Sequence, residues 1–172
     1  GATLAAKGSF ITPGVVALLA TFGYQEVPVA KKPVVGVLAT GSELLEVNEL
    51  LQPGKIRNSN SYMILSQIER AGGEAIYFGK FSDDLDQCVH AVENALSQVD
   101  ILITTGGVSV GDYDYLPAIY ESLGAEVLFN KIAMRPGSVT TVAALHQKLL
   151  FGLSGNRSAC FVGFEWFVRS TL

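Results

Sequence analysis

The stretch I-L-I-T-T-G-G-V-S-V-G-D-Y-D, residues 101–114, decides the fold. Its first four residues, Ile101, Leu102, Ile103 and Thr104, form an unbroken apolar and β-branched run. That pattern belongs to a strand buried on both faces, the middle strand of a parallel sheet. The run passes directly into Gly106 and Gly107, whose missing side chains let backbone N–H groups approach a ligand. Asp112 and Asp114 follow, ahead of a helical run. Open α/β sheets place their ligands at such loops, beyond the carboxyl ends of the strands.

The sign of this loop sets its chemistry. Glycine amides and a helix N-terminus attract anions, and two aspartates beside them would repel the same phosphate unless a cation lay between. A phosphate-bearing ligand bridged by a divalent metal follows, with Mg2+ favoured because it takes a few carboxylate oxygens plus substrate phosphates. Three stock motifs come close and fail. Gly106 and Gly111 have the spacing of a nucleoside-triphosphate loop, but Asp112 and Tyr113 stand where Lys and Ser/Thr are required. The dinucleotide G-x-G-x-x-G cannot be drawn through these glycines. Residues 107–111 match the G-x-S-x-G nucleophile elbow around Ser109, but a hydrolase needs a later acid and histidine. The one later histidine, His146, lies in a polar turn.

At 172 residues the chain is about one domain long, and enough for a sizeable core. A hydrophobic fraction of 49% with 16% charged residues argues a sheet covered on both faces and excludes disorder. The net charge of −4 gives no nucleic-acid surface. No segment reaches the ~18 uninterrupted apolar residues of a membrane helix, and no signal peptide opens the sequence. The expected compartment is the cytoplasm. Cys88 and Cys160 form no metal spacing and each sits in an apolar-periodic run, so both are expected as buried small hydrophobes.

Residues 1–30 are expected to be the remnant of a preceding domain and a linker, and residues 31–172 the main domain. Thr12-Pro13 caps a short helix over 13–22, Gly23 ends it, and residues 26–30 read as a scrap of edge strand. The main domain alternates strands and helices. Strands are expected over 34–40, 75–81 and 101–105. A loop covers 45–55, and caps at 57–60 open a helix stopped by Gly72 and Gly73. Ser82, Asp83 and Asp84 cap the clearest amphipathic stripe, Leu85, Val89, Val92, Leu96 and Val99. A short helix runs from Tyr115 to Gly124. Further strands are expected over 127–132, 139–143 and 149–153. The last two are joined too tightly for a parallel crossover, so an antiparallel pair enters the sheet. The expected architecture is α/β: three layers, α/β/α, around a mostly parallel mixed sheet. A helix over 159–172, apolar nearly all round, needs cover on more than one face.

Five small-residue turns end strands or open helices, at 40–43, 82–84, 105–114, 134–137 and 153–156. In a doubly wound sheet such turns gather at one edge. Each alone is an ordinary connection. Together, with Glu43, Asp84, Asp112, Asp114, Lys131 and Arg135 nearby, they favour a metal-and-anion site.

The runs T-G-S-E-L (40–44), P-G-K-I-R-N-S-N-S-Y (53–62), T-T-G-G-V-S-V-G-D-Y-D (104–114), A-M-R-P-G (133–137) and G-L-S-G-N (152–156) carry a resemblance. In order and spacing they resemble the molybdopterin-binding, MogA-like domain of the molybdopterin molybdenumtransferases, the MoeA and gephyrin E-domain family. The resemblance implies an enzyme that inserts molybdate into adenylated molybdopterin and releases AMP with Mg2+ assisting. It implies catalytic acids at Glu43, Asp84 and Asp114, and metal contacts from Glu43, Asp112 and Asp114. Ligand binding would fall to Thr40, Gly41, Ser42, Thr105, Gly106, Gly107 and Ser109, with Arg135, Pro136, Gly137, Ser154, Gly155 and Asn156. It also implies a homodimeric parent whose site is completed by domains outside this chain, the chain by itself being inactive. Ser42 stands where many members carry Asp, and Ser154 and Arg157 replace two prolines of the common G-L-P-G-N-P. Two alternatives remain: the adenylyltransferase of the same fold, and a non-catalytic module that binds a pterin or a partner protein.

Overall fold

The computed structural model describes residues 3–81, 85–106 and 115–172. It comprises two compact units, one ending at Lys31 and the other spanning Lys32–Leu172. In the first, helix α1 (Pro13–Thr21) starts where the sequence places it: the Thr12 hydroxyl accepts from the Val15 amide at 3.3 Å, with proline at the first helical position. None of its residues is buried. Residues 26–30 form no strand. Pro28 lacks the N–H that a strand would donate, and no neighbouring strand takes up the segment.

The second unit holds a six-stranded sheet. Its strands are β1 (Val34–Thr40), β4 (Glu74–Phe81), β5 (Ile101–Gly106), β6 (Glu126–Lys131), β7 (Val139–Leu145) and β8 (Lys148–Leu153). The order across the sheet is β4-β1-β5-β8-β7-β6. The first four run parallel, and β7 is antiparallel to both β8 and β6. The tight turn at His146 produces that reversal, its φ of 53° lying in the left-handed region. Helices cover both faces. Alternate residues of the central strands point opposite ways, as a pleat requires. Val35, Val37, Ile101 and Ile103 pack with Ile64 and Ile68 of α2 (Asn60–Ala71) and Cys160 of α5 (Arg157–Gly163). Leu38, Leu102 and Leu150 pack with Val92 and Ala95 of α3 (Leu85–Leu96) and Ile119 of α4 (Tyr115–Ser122). Each fully buried valine, leucine or isoleucine among them contributes about 1.5–3 kcal/mol of transfer free energy. The expected three-layer α/β/α architecture is the one observed.

Several polar groups packed within this unit are paired. The Tyr120 hydroxyl lies 3.0 Å from the Thr104 hydroxyl, and the Lys148 ammonium donates to the carbonyls of Leu96 and Val99, both at 2.7 Å. Both cysteines are buried and neither is in a disulfide, and burial pushes the Cys160 thiol up to about 12.

Two expectations are corrected. Residues 46–55 are loop as expected, but Leu45 is not: Leu44–Leu45 (β2) and Ile56–Arg57 (β3), on either side of it, form a separate two-stranded parallel sheet. Two-residue strands leave no periodicity to read. The C-terminal segment is not one α-helix either. After α5 the chain widens into a π-helical stretch, Phe164–Val168, and tightens into a 3-10 turn, Arg169–Thr171. Phe164 and Val168 are buried, whereas Trp166 remains 64% exposed.

Candidate functional site

Strand register lines up the carboxyl ends of the parallel strands. Thr40 lies beside both Phe81 and Gly106, and Thr105 beside Leu153. At this edge Gly106 has φ +84°, and a Cβ there would lie 2.1 Å from the Thr40 carbonyl oxygen. Only glycine fits that approach. Gly41 has φ +144°, and a Cβ on it would meet the Glu43 carboxylate at 2.7 Å, so glycine lets Glu43 fold back over the strand end.

The segment after Glu43 is tied down by its own hydrogen bonds. The Ile56 amide donates to the Glu43 carbonyl at 2.9 Å and the Asn58 amide to the Leu45 carbonyl at 2.8 Å, closing the small sheet. Lys55 reaches the Ser42 carbonyl at 2.7 Å. From β4, Lys80 donates to the Leu44 carbonyl at 2.9 Å and to Glu49 at 2.6 Å. That contact, with the Glu46 amide, holds the Glu49 carboxyl below the ordinary carboxylate range. Across the site, the Asn60 side chain donates to the Gly155 carbonyl at 2.9 Å, and Arg157 Nε donates to the Ser59 hydroxyl at 3.1 Å. Asn156 caps α5 by accepting from the Ala159 amide at 3.1 Å.

These elements enclose a cavity of about 320 Å³, within the size range of small-molecule sites. Glu43 and Leu44 line one side, residues 56–60 another, Thr105 and Gly106 the strand end, and Gly155 and Arg157 the turn after β8. One carboxylate and two guanidiniums, Arg57 and Arg157, therefore share one hollow with glycine backbone. Glu43 makes no ion pair or side-chain hydrogen bond among the described residues, which leaves both its oxygens available to a hard cation. Among those residues there is no cluster of three or more His, Cys, Asp or Glu side chains.

Of the residues singled out from the sequence, the cavity brings together Glu43, Thr105, Gly106 and Gly155. Thr40, Gly41 and Ser42 lead into it from β1, and the buried Thr40 hydroxyl has no hydrogen-bond partner among the described residues. Ser154 and Asn156 flank Gly155, the Ser154 hydroxyl accepting from the Asn156 amide at 3.2 Å. Arg135 lies apart, in a second hollow of about 330 Å³ lined by residues 132–135 and Ser138. Pro136 and Gly137 continue that turn, and Gly137 lies against Ala159 of α5. Asp84, Gly107, Ser109, Asp112 and Asp114 lie outside the described residues. Arg57, Asn58 and Asn60 were singled out in the sequence as candidate helix caps and as part of the run at 53–62, not as residues of the ligand site.

Residues 36–172 match the family described as "Probable molybdopterin binding domain". The chain belongs to that family. Among curated relatives of this molybdopterin-binding domain, the molybdopterin molybdenumtransferase of Bacillus subtilis is 65% identical over 169 residues. That of Staphylococcus aureus is 61% identical over 163 residues. The matches take in 98% and 95% of this chain but 39% of each relative, so the chain spans about two fifths of their length. Among solved structures, the molybdopterin biosynthesis MoeA protein of Pyrococcus horikoshii superposes with a TM-score of 0.83 at 31% identity, covering 94% of this chain and 40% of that one. The tungsten cofactor synthesizing protein MoaB of Pyrococcus furiosus, at TM-score 0.56 and 16% identity, covers 83% of this chain and 94% of its own, and shares the fold. No helix among the described residues is long and apolar enough to cross a membrane.

Proposed function

We propose that this chain is the ligand-binding domain of a molybdopterin molybdenumtransferase, and that the whole enzyme inserts molybdate into adenylated molybdopterin with release of AMP. The observation that supports this best is the cavity at the strand ends, where Glu43 faces two guanidiniums and glycine backbone. Such a hollow suits a ligand with anionic oxygens on one side and a metal on the other. In this reading Arg57, Arg157 and the backbone at Gly106 and Gly155 hold phosphate oxygens of the substrate, with Ser42, Thr105, Ser154 and Asn156 around them. Glu43, with Asp84, Asp112 and Asp114, would hold Mg2+. When bound, the ion supplies positive charge that polarises the phosphoanhydride. Arg135, Pro136 and Gly137 would meet a part of the substrate away from the phosphate. The parent acts as a cytoplasmic homodimer, in keeping with two buried cysteines that form no disulfide.

The test is AMP release by the full-length enzyme. Asp114→Ala and Glu43→Gln are each expected to lower Mg2+-dependent release ~10²-fold or more, the scale for removing one stabilising group from a preorganised site. Unchanged release in both variants would remove the metal role. The 172-residue chain alone is expected to bind AMP weakly and not to turn over.

A further inference from the structure

Asn58 is a polar side chain with 1% of its surface exposed, yet it lines the cavity. Its orientation is fixed by neighbours on two sides. Tyr77 donates its single hydroxyl proton to Glu46 Oε1 at 2.6 Å, and Tyr62 donates to Glu46 Oε2 at 2.9 Å. With its proton committed, the Tyr77 oxygen can only accept, so the group facing it at 2.8 Å must be the Asn58 NH2. On the other side the Ser61 amide donates at 3.2 Å, which requires the Asn58 carbonyl oxygen. Burial and the Glu46 contact raise the Tyr77 pKa well above its ordinary value, so the hydroxyl keeps its proton throughout the neutral range.

This arrangement uses one of the two Nδ2 hydrogens. The second has no partner among the described residues, and a buried donor left unmade is costly. Its setting is a cavity that also presents Arg57 and Arg157. We propose that Asn58 is a specificity residue of this site, aimed by Glu46 and Tyr77 so that its second amide hydrogen is donated to an anionic oxygen of the ligand. This rests on the functional reading above. Glu46 and Tyr77 are then positioning residues, acting through Asn58.

The test is a titration of the 15N-labelled 172-residue chain with AMP, inorganic phosphate and adenosine. AMP and phosphate are expected to shift the Asn58 side-chain amide, and adenosine to leave it in place. Asn58→Asp keeps the acceptor that caps Ser61 but has no donor, and AMP affinity is expected to fall at least about ten-fold. Tyr77→Phe keeps the ring and loses the orienting oxygen, so a smaller loss is expected together with a broadened Asn58 amide signal. The inference is overturned if Asn58 stays unmoved while the Gly106 and Gly155 amides shift, if adenosine moves it as AMP does, or if folded Asn58→Asp binds AMP within two-fold of the parent chain. If neither AMP nor phosphate moves any of these signals, the functional reading falls with it.

Discussion

Strands β5 and β6 belong to one sheet but bury their residues differently. All of β5 except Gly106 is buried, whereas β6 alternates between half-buried and exposed positions. The cause is cover. β5 sits between β1 and β8 with helices over both faces, while β6 closes the sheet at its antiparallel edge. The cavity opens at the carboxyl end of β5, where strands on both sides fix the backbone, and the Arg135 turn follows β6 at the edge. Preorganisation is therefore concentrated at the centre of the sheet. A ligand that needs fixed donors belongs there.

The largest expected effect is on stability. Leu102 in β5 is fully buried and Leu128 in β6 is 52% exposed. Leu102→Ala is expected to cost about 3–5 kcal/mol in urea unfolding, from lost transfer free energy and the cavity left behind. Leu128→Ala should stay within about 0.5 kcal/mol. Equal costs would break the contrast between centre and edge.

Arg157 sharpens it at the site. Arginine occupies the first position of α5, a place that suits proline, and its side chain reaches Ser59. Arg157→Pro should gain about 0.4–1 kcal/mol by restricting the unfolded chain, partly offset by the lost exposed hydrogen bond. AMP affinity should fall about ten-fold if the guanidinium meets the phosphate. Calorimetry showing raised thermal stability with unchanged AMP affinity would leave Arg157 a surface residue.

The smallest effect concerns the contact between α2 and the π-helical stretch that follows α5. Hydrogen bonding from Gln67 first, then Arg169, together with the charges of Arg70 and Arg169, holds the Glu165 carboxyl below its ordinary value of 4.5. Its folded pKa is thus lower than its unfolded one, so its contribution is present above about pH 4.5 and is lost as pH falls through the folded value. The arginine partners are well exposed, which limits the contribution to about 1 kcal/mol. Glu165→Gln should lower stability slightly at pH 7 and flatten the decline between pH 5 and 3, as followed by circular dichroism. A steeper acid decline in the variant would contradict this.

Much of the sheet could be read from the sequence because its physical causes are local. Unbroken apolar runs gave β1 and β5, the 3.6-residue stripe gave α3, and the short link around His146 required the antiparallel pair. Gly106 was legible as a ligand turn. Its second reason, close contact with the Thr40 carbonyl, depends on strand register that no local pattern encodes. The same holds for β2 and β3, which pair across ten intervening residues on two-residue strands. Asn58 was read as one of several caps, and it does accept from the Ser61 amide. Its link to Glu46 through Tyr77 joins residues far apart in sequence, so its role at the cavity became visible only in the fold.

The most direct test of the central claim is a crystal structure of the full-length enzyme with AMP and Mg2+. The phosphate is expected in the cavity at the end of β5, between the Gly106 and Gly155 backbone, within hydrogen-bond distance of Asn58 Nδ2, and with the metal on Glu43. Phosphate bound in the hollow beside Arg135, with the β5 cavity empty, would contradict it.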